Sequence, residues 1–183
     1  MAGIIKVNQY QDFNGNSIMT SDGNGNITVN NNSLKNTPAF ALHFDGGFPT
    51  AANTQTKLSS SVITNMLYNK GNAFDQANAK FVVPNNLGGL YYFGCTFLTL
   101  NNANNYRGRY YKNGSSTQGA GAIQARSSEG DSGYTPTHNF TVLDLVPGDY
   151  IEYYIENTTA ANAIYNPGDD NFNIWFGFKL IGS

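Results

Sequence analysis

From Thr37 to the end of the chain, short apolar segments recur between clusters of Gly, Asn, Asp and Pro, and none carries a helical period. Strands at such spacing, with turn residues between them, build a sandwich or a barrel. The segments are Ala39 to Phe44, Val62 to Tyr68, Phe81 to Val83, Leu90 to Leu100, Tyr106 to Lys112, Phe140 to Leu145, Tyr150 to Ile155 and Asn173 to Ile181. The second could pass for a helix, but the β-branched Val62, Ile63 and Thr64 favour a strand. Turns are signalled at Asn69-Lys70-Gly71-Asn72, Asn113-Gly114 and Pro147-Gly148. The predicted class is all-β.

Two of these segments are apolar on both faces. Leu90-Tyr91-Tyr92-Phe93 and Ile174-Trp175-Phe176-Gly177-Phe178 do not alternate with polar residues. An antiparallel sandwich strand normally wets one face. With no helix to cover the outer face, another subunit is the expected cover.

A chain of 183 residues makes one domain with a short appendage. Twelve Phe and twelve Tyr suit pleated surfaces. Charged residues make up 12%, against an ordinary ~25%. Asn fills the gap with 27 residues, so the surface is polar but hardly charged. The net charge of −2 offers no basic patch for phosphates, which argues against nucleic acid. The largest basic cluster, Arg107-Gly108-Arg109 with Lys112, reads as a solvated strand edge. The single Cys95 lies in an apolar run and reads as a small buried hydrophobe. No segment approaches a membrane span, and Met1 to Val7 is too short an apolar stretch for a secretory signal. Synthesis in a host cytoplasm, without export, is the expectation.

Residues 1–36 differ from the rest, being Asn- and Gly-rich with small apolar stretches. Ile18-Met19 and Ile27-Thr28-Val29 can pair across Asp22-Gly23-Asn24-Gly25. Such a ribbon is marginal alone in water, so it is expected to order only against another copy or a larger particle. The expected division is an attachment segment, 1–36, and a domain, 37–183. Anchor candidates are Ile4, Ile5, Val7, Ile18, Ile27 and Val29.

The order of elements from about residue 39 resembles the C1q/tumour-necrosis-factor jelly-roll family. Five stretches carry the resemblance. Tyr68-Asn69, Phe74-Asp75 and Phe81 to Pro84 look like the lead into its central strand. Gly89-Leu90-Tyr91-Tyr92-Phe93 is similar to its Gly-x-Tyr-x-Phe motif. Lys112-Asn113-Gly114 resembles a strand-ending turn. Leu145 with Gly148-Asp149-Tyr150-Ile151 resembles Leu-x-x-Gly-Asp-x-Val. Phe176-Gly177-Phe178-Lys179-Leu180 is similar to the closing motif. Ala79 departs from a family Gly, two extra residues follow Pro84, and Phe176 replaces a small polar residue. The resemblance implies a ten-strand jelly-roll sandwich assembled as a homotrimer. Interface or core candidates are Phe40, Tyr91, Phe93, Trp175, Phe176 and Phe178. The N-terminal stretch resembles segments that precede such heads in bacteriophage structural proteins.

Catalytic chemistry finds little support. No Gly-x-Ser-x-Gly elbow occurs, and His43 and His138 are the only histidines. One Cys and two His cannot readily supply a zinc site. Asp169-Asp170, and more weakly Asp22-x-Asn24-x-Asn26, are calcium candidates, with plain turn chemistry the simpler reading. No other cofactor is expected. The Ser- and Gly-rich loop from Gly114 to Thr137, with Tyr134 near its end, and the loop from Tyr165 to Asn171 are candidate ligand surfaces. The expected function is a homotrimeric bacteriophage virion protein, a capsid decoration, head-fibre or short tail-fibre subunit. It would attach to capsid or tail through its N-terminus and could meet a host surface glycan. The alternative is a carbohydrate-binding module or a receptor-binding protein; an enzyme is not expected.

Overall fold

A computed structural model describes residues 8–29, 37–45, 54–100, 106–116, 134–157 and 173–180. The chain divides into two compact units, Met1–Thr37 and Pro38–Ser183; the sequence reading draws this line one residue earlier.

The first unit is an antiparallel meander of β1 (Gln9–Gln11), β2 (Ser17–Ser21) and β3 (Ile27–Val29). The predicted pairing forms, with Met19 opposite Val29 and Ser21 opposite Ile27. Ile4, Ile5 and Val7 lie outside the described residues.

The second unit holds two antiparallel sheets. One is ordered β12 (Tyr134–Leu145), β9 (Gly89–Leu100), β14 (Ile174–Lys179), β4 (Ala39–Phe44) and β6 (Ile63–Lys70). The other runs β11 (Ser115–Ser116), β10 (Tyr106–Lys112), β13 (Tyr150–Asn157), β8 (Lys80–Val82) and β7 (Phe74–Asp75), with β5 (Gln55–Lys57) also on β13. Eleven strands are thus described in this unit, against the ten that the resemblance implies. Two of them, β7 and β11, are only two residues long. Val62 closes a short 3-10 turn, Ser60–Val62, and β6 begins one residue later.

The core lies between the sheets and is largely aromatic. Phe40 of β4 lies 4.6 Å from Phe74 and 5.6 Å from Phe81 across the sandwich. Trp175 of β14 meets Phe40 edge-on at 5.0 Å and Tyr153 of β13 at 5.8 Å. Such ring pairs add to the area they bury. Tyr91 and Phe93 complete the floor. Cys95 is buried as expected.

Two turns follow their sequence chemistry. Asn113 (φ +52°) and Gly114 (φ +76°) close the β10–β11 hairpin, the positive-φ pair that a tight two-residue turn requires. Pro147-Gly148 closes β12 to β13, with the Asp149 N–H donating to the Val146 carbonyl at 3.0 Å. Ala79, where the resembling family has Gly, adopts φ +47°, a conformation that favours Gly. The two extra residues after Pro84 form a turn, with Asn86 at φ +63° and the Leu87 N–H on the Pro84 carbonyl. Arg107 and Arg109 are half-buried, in the part of β10 that pairs with β13 on one side and lies beyond its short pairing with β11 on the other. They stand opposite Glu156 and Tyr154 of β13, and Arg109 pairs with Glu156 at 3.3 Å.

Gly177 is a point of close packing in the core. A Cβ there would lie 2.4 Å from the Phe93 ring and 2.9 Å from that of Phe40. Gly177→Ala is therefore expected to destabilise the fold by about 2–3 kcal/mol through overpacking. Urea unfolding checks this, and an unchanged midpoint would contradict it.

Candidate assembly interface

Side chains alternate between faces along a strand, so the apolar run of β14 must divide. Trp175 points into the core, while Ile174, Phe176 and Phe178 point outward. On β9, Tyr91 and Phe93 point inward, and Leu90 and Tyr92 outward. The pleat therefore separates the six interface-or-core candidates. Phe40, Tyr91, Phe93 and Trp175 are fully buried inside the single sandwich. Phe176 and Phe178 alone stand on its outer face, half-buried.

Register aligns that outer face into rows. One row runs Phe140, Gly94, Phe176, Ala41, Tyr68, and the next runs Val142, Tyr92, Phe178, Ala39, Lys70. Tyr92 sits at the centre. Its ring lies 6.0 Å from Phe140, 6.0 Å from Phe176 and 5.4 Å from Phe178. Gly94 lets the Phe176 ring lie flat on β9, for a Cβ there would be 2.4 Å from the ring. Phe140 is 45% exposed and Val142 47%, with Leu90 also exposed. Phe140 and Val142 were not singled out in the sequence, although their alternation with Thr141 and Leu143 could have revealed them. The face is a continuous aromatic and aliphatic surface on β12, β9 and β14, with charge confined to its margins at Lys70 and Asp144.

The polar groups of the described residues make contacts that hold the fold. Burial pushes the Cys95 thiol up, away from nucleophilic thiolate. The Tyr153 hydroxyl donates to the Asn139 side-chain oxygen at 2.6 Å, and the Tyr110 hydroxyl to the Asn139 carbonyl at 3.1 Å. Burial holds both tyrosines above the ordinary range. His43 is buried in β4; His138 is exposed, with Nδ1 2.8 Å from the Thr96 hydroxyl. Among the described residues no three His, Cys, Asp or Glu side chains gather as a metal site, and no helix is long and apolar enough to cross a membrane. Asp22 accepts the Asn24 and Asn26 N–H groups at 2.7 and 3.2 Å and the Asn26 side-chain amide at 2.6 Å. Both its oxygens are thus engaged by N–H donors, the turn chemistry weighed against calcium. Asp169, Asp170 and Tyr165 lie outside the described residues. Tyr134 is not in a loop: it opens β12, opposite Leu100. The extended pairing of β12 with β9 overrode the Ser- and Gly-rich signal before it.

The family model of the C1q domain matches residues 47–180. No curated protein sequence matches the chain. Solved structures with a similar fold include the globular domain of the zebrafish complement 1qA protein, with TM-score 0.54, 14% identity, 79% of this chain and 97% of that chain covered. The PRD1 vertex protein P5 gives TM-score 0.55, 19% identity, 80% and 98% coverage. Murine APRIL gives TM-score 0.50, 14% identity, 79% and 99% coverage.

The matched span includes the Gly148-Asp149 turn, where Asp149 ties two hairpins together. Its carboxylate accepts from the Asn113 amide at 2.7 Å and the Val146 N–H at 2.9 Å, and pairs with Lys112 at 2.8 Å. Burial opposes its ionisation, but the Lys112 and Asn113 bonds and the Val146 N–H outweigh it, holding the carboxyl below the ordinary value. A carboxylate depressed in the folded state stabilises above its unfolded value, near ~3.9, and that contribution is lost as pH falls through the folded value. Asp149→Asn is expected to cost about 1–3 kcal/mol at pH 6. The gap from the parent should shrink below about pH 4, as chemical unfolding across pH would show. A gap independent of pH would contradict this account.

Proposed function

The chain belongs to the C1q domain family, and from that premise we propose that it is a bacteriophage virion structural protein, a homotrimeric jelly-roll head attached through its N-terminal unit. The observation that carries the proposal is the outward apolar face around Tyr92, Phe140, Phe176 and Phe178. Contiguous exposed apolar patches of this kind mark contact surfaces. A cyclic trimer can bury such a face on all three subunits around one axis. The virion assignment is supported by the Asn- and Gly-rich, nearly uncharged, one-cysteine composition. A structural neighbour that is itself a vertex protein adds support. Capsid decoration, a head fibre and a short tail fibre or spike are the forms this role can take. The role is one of assembly and display, without a reaction. Host-glycan contact through the Tyr134 and Tyr165 regions, and calcium at Asp169 and Asp170, remain subsidiary proposals.

Phe176→Arg places a charge at the centre of the face without entering the core. It is expected to give a folded monomer, with the dissociation constant for assembly raised at least ~30-fold. Sedimentation velocity with circular dichroism checks this. A folded Phe176→Arg trimer of unchanged affinity would sink the interface assignment. A chain lacking residues 1–36 is expected still to trimerise yet fail to join purified particles. Normal incorporation would remove the attachment role of the N-terminal unit.

A further inference from the structure

The N-terminal unit is built on a repeat of ten residues. Asp12-Phe13-Asn14-Gly15-Asn16 and Asp22-Gly23-Asn24-Gly25-Asn26 close the two turns of the meander in the same way. Asp12 accepts the Asn14 and Asn16 N–H groups at 2.9 and 2.8 Å and the Asn16 side-chain amide at 2.8 Å, as Asp22 does with Asn24 and Asn26. Met19 and Val29 occupy equivalent places in successive repeats.

The resulting sheet has two unlike faces. Tyr10, Met19 and Val29 form one row by register, and Ile27 lies two residues from Val29 on the same side. Gln9, Thr20 and Thr28 form the corresponding row on the other side. Tyr10 is 51% exposed and Ile27 64%. A shallow hollow of about 240 Å³ opens between them, with Met19 in its lining. A sheet of strands this short needs a packed apolar face to be stable, and a wet one contributes nothing.

We propose that this face, Tyr10, Met19, Ile27 and Val29, packs on the same face of two further copies of the chain, making a second three-fold contact in addition to that of the jelly roll. The inference rests on the trimeric reading above. Two observations name the occupant. First, Asp12 and Asp22 are the only charges among residues 8–29, and the meander puts them in turns at opposite ends of the sheet. The face carries no charge to desolvate or to repel its own copy. Second, only eight residues separate Val29 from Pro38, the first residue of the jelly-roll unit. In a jelly-roll trimer, such short tethers hold the three sheets at an effective concentration on the order of millimolar. Another partner would have to displace the chain's own copies. Contact with a virion component then falls to groups off this face. Ile18 is the extra residue at the β1–β2 bulge, and Phe13 is fully exposed in the first turn.

The test is disulfide trapping in the full chain, whose own Cys95 is buried. Met19→Cys, at the centre of the face, is expected to form covalent dimers under mild oxidation. Thr20→Cys, one residue along and on the opposite face, should form at least five-fold less. Adding Ile27→Arg to Met19→Cys should abolish the crosslink. Equal crosslinking at both positions, or none at Met19→Cys, would overturn the proposal. Sedimentation of the same samples separates the two levels. A trimer that fails to crosslink defeats the N-terminal contact alone. A monomer defeats the trimeric reading with it.

Discussion

The pairing of β9 with β14 is the constraint on which the rest of the second unit depends. These strands lie at the middle of their sheet, and each is apolar on both sides. The glycines make that double burden possible. Gly177 admits the Phe93 and Phe40 rings on the core side, and Gly94 admits the Phe176 ring on the outer side. A larger residue at either place would push an aromatic layer away from the backbone. One pair of strands thus supplies the floor of the core and the centre of the outward face. Core and outward face share the same backbone.

That sharing explains why the chain can do without the usual surface. An ordinary sandwich strand spends every second residue on water. Here the outward residues at the middle of three neighbouring strands are hydrophobic, and the ion pairs Lys57–Glu152 and Arg109–Glu156 lie on the other sheet, on its β5–β13–β10 side. The two sheets therefore differ in their outward chemistry. One carries ion pairs and tyrosines, and the other a mainly apolar surface.

Much of this was legible in the sequence, for physical reasons. Strands announced themselves because Asn-Gly and Pro-Gly turns need particular backbone angles, and Asn113-Gly114 and Pro147-Gly148 close the hairpins they signal. The double-sided apolar runs were visible without knowing what covers them. What composition could not give was the phase of the pleat. Phe40, Tyr91, Phe93 and Trp175 looked equivalent to Phe176 and Phe178 until register assigned them to opposite faces. Tyr134 was misplaced because a Ser- and Gly-rich stretch precedes it, while the ladder partner that makes it a strand residue lies far back in the chain at Leu100. The ten-residue repeat of Asp-x-Asn-Gly-Asn was on the page as letters. Its meaning emerged only when both turns proved to be closed by the same carboxylate bonds.

The central claim is that the outward face of the β12–β9–β14 sheet exists to be covered by copies of the same chain. Native mass spectrometry of the unaltered chain at micromolar concentration tests it most directly. The account predicts a single species of three chain masses that persists on dilution. A stable monomer across that range, with its tyrosine- and phenylalanine-lined face left in water, would contradict it.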